Sequence, residues 1–172
     1  DPAHLEPALD ELRALERLIE DLRTLSLAET GTLALSIETV DPALLVNDVV
    51  AAFGPTAGEA GVHLRASLPP DLPAIEADPG RLRQALGNLV SNALAHTPHG
   101  GSVVVSATAT DGTALEFAVA DTGEGIAADL LPRAFDRFVK GASSRGTGLG
   151  LAIARDLVAA HGGTIEALSD GP

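Results

Sequence analysis

The chain has 172 residues, 45% of them hydrophobic, yet only four are Phe and none is Trp, Tyr, Met or Cys, so a core must come from Leu, Val, Ile and Ala. The absence of cysteine excludes a disulfide framework and thiolate zinc sites, and is compatible with a reducing compartment. A net charge of −13, from 24 acidic residues against 11 Lys plus Arg, argues against nucleic acid as a partner, because such a binder needs a basic face to displace counterions from phosphates.

Residues 3–29 read as a long helix. Leu5, Leu12 and Ile19 repeat at seven with Ala8, Leu15 and Leu22 between them, and Leu18 and Leu25 widen the stripe. That seam is of coiled-coil type and wants partner helices. Gly31 follows as a C-cap, then "LALSIETV" as a strand. Asp41-Pro42 opens a second helix running to about Ala60. "VHLRASL" reads as a strand, "PPDLP" as a rigid connector and "AIEA" as a short strand.

Asp78-Pro79 starts another helix, stopped near His96 by Pro98. On it Leu82, Leu86, Leu89 and Ala93 share the face expected to be buried, and Gln84, Asn88, Asn92 and Ala95 form an adjoining stripe. Asparagine is a poor helix former. Two of them one turn apart, bordering a buried face, are expected where a pocket wall would stand.

"SVVVSATAT" and "ALEFAVAD" alternate as two strands around an Asp-Gly turn. "DTGEGIAADLLPRAFDRF" is a glycine-bearing turn followed by short helical pieces, and "VKGASSRG" a small, basic, mobile loop. "TGLGLAIARDLVAAHGG" is a buried helix that begins and ends in glycine, and "TIEAL" a closing strand. No stretch has the length and apolarity of a membrane span or the form of a signal peptide. The chain opens on Asp1 rather than Met, as expected of a piece of a longer protein whose anchor, if any, lies upstream.

Two nucleotide-binding standards fail. Gly123, Gly125 and Ala128 satisfy G-x-G-x-x-A, but no acidic residue ends a second strand about 20 residues on. The G-x-x-x-x-G-K-[ST] loop is absent. A composite site remains. Gly146, Gly148 and Gly150 stand at a helix start, where free N–H groups and the dipole attract an anion. Arg133, Arg137, Lys140 (the only lysine) and Arg145 cluster just before it. Magnesium prefers oxygen ligands and keeps several waters, so beside phosphates a neutral amide from Asn92 or Asn88 suffices. Asp121, at a strand end beside Gly123, is placed to accept from an exocyclic amine.

In this order the pieces resemble the histidine-kinase branch of the family that contains DNA gyrase, the heat-shock chaperone and the mismatch-repair ATPases. "RLRQALGNLVSNALAHTP" is similar to its N box, "DTGEGI" to its first glycine box, "FDRF" to its F box and "GTGLGLAIARDLVAAHGG" to its second glycine box. The resemblance spans almost the whole chain. It implies a two-layer α/β sandwich, a mixed sheet covered on one face by helices, with a bundle-forming helix in front. It implies ATP and Mg2+, with Asn92 on the metal, Asn88 supporting the phosphates and Asp121 reading the adenine amine. Gly123, Gly125 and Ile126 would line the base side, with His96 near the adenine. Gly146, Thr147, Gly148, Leu149 and Gly150 would cradle phosphate under a lid carrying Arg137, Lys140 and Arg145.

The resemblance further implies γ-phosphoryl transfer from Mg-ATP to a histidine, then to a response regulator. Residues 1–30 match the second helix of the dimerisation hairpin, which implies a homodimer through residues 3–29 in the complete protein. Residues 31–172 match the catalytic domain without its last strand, expected to be cytoplasmic. The acceptor histidine is expected outside this chain. His4 is followed by Leu-Glu-Pro, His161 helps end a helix, and His63 and His99 have no neighbours that would make sites. Ala95 stands where the N box carries a base, and His96 where it carries an aromatic; either change lowers ATP affinity unless Lys140 and Arg145 compensate. His96 also reads as a solvent histidine at a helix end. A serine-directed kinase or ATPase of the same superfamily, and a non-catalytic or split half-kinase, are the competing readings.

Overall fold

The computed structural model describes residues 5–110, 114–139 and 147–171. They divide into two compact units, with the division between Ala34 and Leu35. The first unit holds helix α1, Leu5–Glu29. Gly31, at φ +65°, ends it, the N–H groups of Gly31 and Thr32 returning to the carbonyls of Ala28 and Leu27 at 3.1 and 3.0 Å. That left-handed cap satisfies carbonyls the last turn leaves free. The seam is described from Leu12 onward, and Leu12, Leu15, Ile19 and Leu22 are each at least half exposed.

The second unit contains β1 (Glu38–Val40), α2 (Pro42–Ala60), β2 (His63–Ser67), β3 (Ile75–Ala77), α3 (Pro79–His96), β4 (Ser102–Ala109), β5 (Leu115–Asp121) and α4 (Gly150–Ala160). The sheet order is β2-β4-β5, parallel between β2 and β4, antiparallel between β4 and β5. It is a mixed sheet, as expected. β1 and β3 form a separate antiparallel pair, Val40 opposite Ile75. Along β4 the alternation buries Val103, Val105 and Ala107, which join Val46 and Val49 of α2 and Val90 of α3 in one core. Burying a side chain of this size contributes about 1.5–3 kcal/mol.

Three expectations need correction. The strand expected over 33–40 shrinks to Glu38–Val40, because β3 offers only three residues to pair and the Ser36 N–H instead donates to Asp78 Oδ2 at 2.9 Å. "TIEAL" forms no ladder among the described residues. Alternation assigns faces, not a hydrogen-bonding neighbour, and Leu168 is 86% exposed. On α3, Val90 is fully buried while Leu89 is only half-buried. This helix packs against α2 and β4 as well as α4, so its buried face is broader than one stripe. The Asp-Gly turn and the "KGASSRG" loop lie outside the described residues.

Capping sets the helix starts. Asp41 Oδ1 accepts from the N–H groups of Ala43 and Leu44 at 2.8 and 3.3 Å. Asp78 Oδ1 accepts from Arg81 N at 3.0 Å. Burial pushes the Asp78 carboxyl up, but the N–H groups of Arg81, Ser36 and Gly80 and the Arg81 charge more than reverse this, leaving it below its ordinary 3.8. With the folded value depressed, the stabilisation is complete above 3.8 and is lost as pH falls through the lowered value. Asp78→Ala is expected to destabilise the chain by about 1–2 kcal/mol at neutral pH, with the gap to wild type closing below 3.8. Urea unfolding followed by circular dichroism across a pH series checks both.

Candidate functional site

Asn88, Asn92 and His96 follow one another at four-residue intervals on α3 and so share a side of the helix. Asn88 Nδ2 donates to the carbonyl of Gly150, the first residue of α4, at 3.1 Å. At the other end His96 Nδ1 donates to Glu124 Oε1 at 2.7 Å, and the His96 carbonyl accepts from Glu124 N at 3.2 Å. Asn92 lies between these two anchors. It is half-buried, and its amide has no partner among the described residues.

The turn after β5 is built around Asp121. Its Oδ1 accepts from Gly123 N at 2.8 Å, the local bond an Asx-turn makes, which leaves Oδ2 of this exposed carboxylate free among the described residues. A Cβ at Gly123 would stand 2.6 Å from both Asp121 Oδ1 and the His96 carbonyl. Only glycine lets the turn close on the end of α3. Gly125, at φ +72°, backs against the Gly171 carbonyl, and Ile126 N donates to Ser169 Oγ at 2.9 Å.

The second glycine segment begins α4. Lys140, Arg145 and Gly146 lie outside the described residues; Thr147 is exposed and Leu149 buried. Gly148, at φ +73°, accepts from Phe138 N at 2.8 Å through its carbonyl, and a Cβ there would stand 2.9 Å from Phe138 Cα. Phe138 itself has φ +63° and is 68% exposed, an uncommon conformation for a bulky residue. The first turn of α4 carries no N-cap side-chain bond, so its N–H groups remain available to an acceptor.

Arg137 is paired. Its guanidinium is 3.5 Å from Asp156 Oδ2, whose other oxygen accepts from Arg155 at 3.0 Å. Arg133 and Arg155 both reach Asp136, at 3.3 and 4.0 Å. This ladder ties the F-box segment to α4.

Residues 77–171, more than half of the chain, match the family described as histidine kinase-, DNA gyrase B-, and HSP90-like ATPase. The chain belongs to that ATPase family. It is 37% identical over 166 residues to the sensor protein IrlS of Burkholderia pseudomallei, a match covering 93% of this chain and 35% of the relative. The histidine kinase AdeS of Acinetobacter baumannii superposes with a TM-score of 0.83 at 29% identity, covering 99% of this chain and 80% of the other. Full-length ShkA, solved in complex with AMPPNP, superposes at 0.80 with 39% identity, covering 90% of this chain and 33% of the other. The chain spans about a third of the length of the curated relatives first matched. Within this ATPase family it is a catalytic ATP-binding domain of the sensor histidine kinase type.

Any cation bound beside phosphate here must suit the donors present. Among the described residues no three His, Asp or Glu side chains converge on a metal position. The half-buried, unpartnered Asn92 amide suits a cation that already takes most of its ligands from phosphate and water. No individual role was foreseen for Glu124, Asp156 or Ser169. Their partners lie at sequence separations of 28, 19 and 43 residues, where no local pattern reaches. Gly123→Ala should displace the turn and destabilise the domain by about 1–3 kcal/mol, with shifted amide resonances at Glu124. Gly58→Ala, inside α2 with open space around it, should instead stabilise by up to about 1 kcal/mol. Thermal unfolding by circular dichroism separates the two.

Proposed function

We propose that the chain binds Mg-ATP along the Asn88–Asn92–His96 side of α3, as the phosphoryl-donating domain of a sensor histidine kinase. One observation carries this. Asn88 touches the uncapped start of α4, and His96 touches the turn that presents Asp121. Eight residues of helix, about 12 Å, separate a phosphate-type site from a base-type acceptor, a span on the order of ATP itself. The ShkA complex with AMPPNP supports the choice of nucleotide.

In this proposal Asp121 Oδ2 accepts from the adenine amine, and Gly123, Gly125 and Ile126 shape the base side. His96 acts through Glu124. The N–H groups of Gly148, Leu149 and Gly150 receive phosphate oxygens, that of Leu149 exchanging its 3.4 Å bond to Thr147 Oγ1 for one of them, and Lys140, Arg145 and Gly146, outside the described residues, supply further donors. Asn88 braces α4, Asn92 ligates the metal, and Arg137 holds the base of the lid through Asp156. Magnesium offsets negative charge on the phosphates when bound. The γ-phosphoryl passes to an imidazole nitrogen as the bond to ADP breaks, so the chain's task is to position donor against acceptor. We place that histidine on a helical hairpin whose remaining helix covers the exposed Leu12–Leu15–Ile19–Leu22 face, in a homodimer that feeds a response regulator. No helix among the described residues is long and apolar enough to cross a membrane. Residues 31–172 are proposed to be the cytoplasmic catalytic domain of a longer sensor.

Calorimetry tests the site. Asn92→Ala should remove most of the magnesium-dependent part of ATP affinity. Asp121→Asn, which puts a donor where only acceptors stood, should weaken binding about ten-fold or more. Undiminished binding in both variants would overturn the assignment. Radiolabelled ATP tests the reaction. The chain alone should take up no acid-labile phosphate, and a separately supplied histidine-bearing hairpin should become labelled only when its histidine is intact.

A further inference from the structure

We infer that Ser169 is a positioning residue for the nucleotide's base side, acting through the glycine turn and not by touching the ligand. The inference rests on the nucleotide reading above.

The segment 121–126 carries two glycines, so it has more conformational freedom to lose than an ordinary turn and must be held from outside. Asp121 Oδ1 closes its first half onto Gly123 N at 2.8 Å. Glu124 is held by the end of α3, through backbone and side chain. The far half depends on one side chain. Ser169 Oγ accepts from Ile126 N at 2.9 Å and from Gly171 N at 3.2 Å.

A serine hydroxyl has two acceptor lone pairs, so both are engaged. The bond to Gly171 is the i to i+2 closure of a serine turn, with Gly171 at φ +96°. Its carbonyl packs against the Cα of Gly125, where a side chain would collide. The same hydroxyl therefore anchors Ile126 and shapes the backbone on which Gly125 rests. Ser169 and Ile126 are half-buried, so water is a poor replacement for either bond. Without the hydroxyl two N–H groups lose their acceptor, and the turn that presents Asp121 is released on one side.

A base-side defect differs from a phosphate-side defect in which ligands feel it. Calorimetry with ATP, ADP and adenosine on Ser169→Ala should show one common loss, roughly three- to ten-fold, the range for the one bond that holds the turn itself, Ile126 N to Ser169 Oγ. Ser169→Thr, which keeps the hydroxyl, should recover it. Asn92→Ala should lose affinity for the magnesium complexes and keep it for adenosine. Hydrogen exchange of the nucleotide-free chain reads the turn directly, with the Ile126 amide expected to exchange about ten-fold faster in Ser169→Ala. Wild-type affinity in Ser169→Ala, a loss confined to ATP, or an unchanged Ile126 exchange rate overturns the inference alone. A wild-type chain that binds none of the three ligands overturns the nucleotide reading with it.

Discussion

The position of α3 is the constraint on which the rest of the second unit depends. Val90 presses into the sheet layer with Val103 and Val105, while both ends of the helix are tied to other elements. At the start, Asp78 caps the first turn and His161 Nε2 accepts from Asp78 N at 3.1 Å. The other ring nitrogen, Nδ1, donates to the Leu157 carbonyl at 2.8 Å, so the neutral imidazole bridges α3 and the end of α4. At the far end the Thr97 hydroxyl donates to the Ala93 carbonyl at 2.7 Å, and His96 holds Glu124. The middle of the helix is therefore a fixed ruler between the glycine turn and the start of α4. Asn92 sits on it with nothing of its own to bind among the described residues.

Glycine does a different job at each close approach. At 123 the requirement is space, since any Cβ would meet the His96 carbonyl. At 125 and 148 a positive φ adds to the crowding. These are the places where backbone meets backbone, and the backbone N–H groups left over are the natural partners for an anion. Gly58 of α2, by contrast, faces open space, and the structure gives no reason for it. Gly54 precedes Pro55 inside the helix, where a Cβ would crowd the proline ring.

Charge poses a problem that the geometry resolves. A chain of net charge −13 opposes the approach of an anion through its overall field. The arginines described near the site do little to reverse this. Arg133, Arg137 and Arg155 are paired with Asp136 and Asp156, and such partly exposed pairs contribute about 1 kcal/mol or less each. Under the proposed function, uncapped N–H groups of α4, a bound cation and the neutral amide of Asn92 would receive phosphate where the described arginines are already paired. Ala95 agrees with this: it is exposed, and no base is supplied there.

How much could be read in advance follows from the range of the forces involved. Asp41-Pro42 and Asp78-Pro79 announced α2 and α3, because capping is an interaction over two or three residues. The alternation of β4 announced which valines face inward, because the pleat repeats at two. Asn88, Asn92, Asp121 and the glycines were legible as a set, since each is an unfavourable or permissive choice in its own local context. Other features came only with the tertiary structure. "TIEAL" carries strand alternation, but a strand also needs a neighbour, and none pairs with it among the described residues. Arg137 stands in a basic run, and folding brought Asp156 of α4 to it across 19 residues. Glu124 meets His96 across 28 residues, and Ser169 gave no signal before folding brought it to Ile126. Local sequence determined the elements and the residue types offered to a ligand. Which of those residues are occupied by one another, and which remain for a ligand, was decided by contacts between segments far apart in the chain, whose closure depends on the packed core and leaves no local pattern.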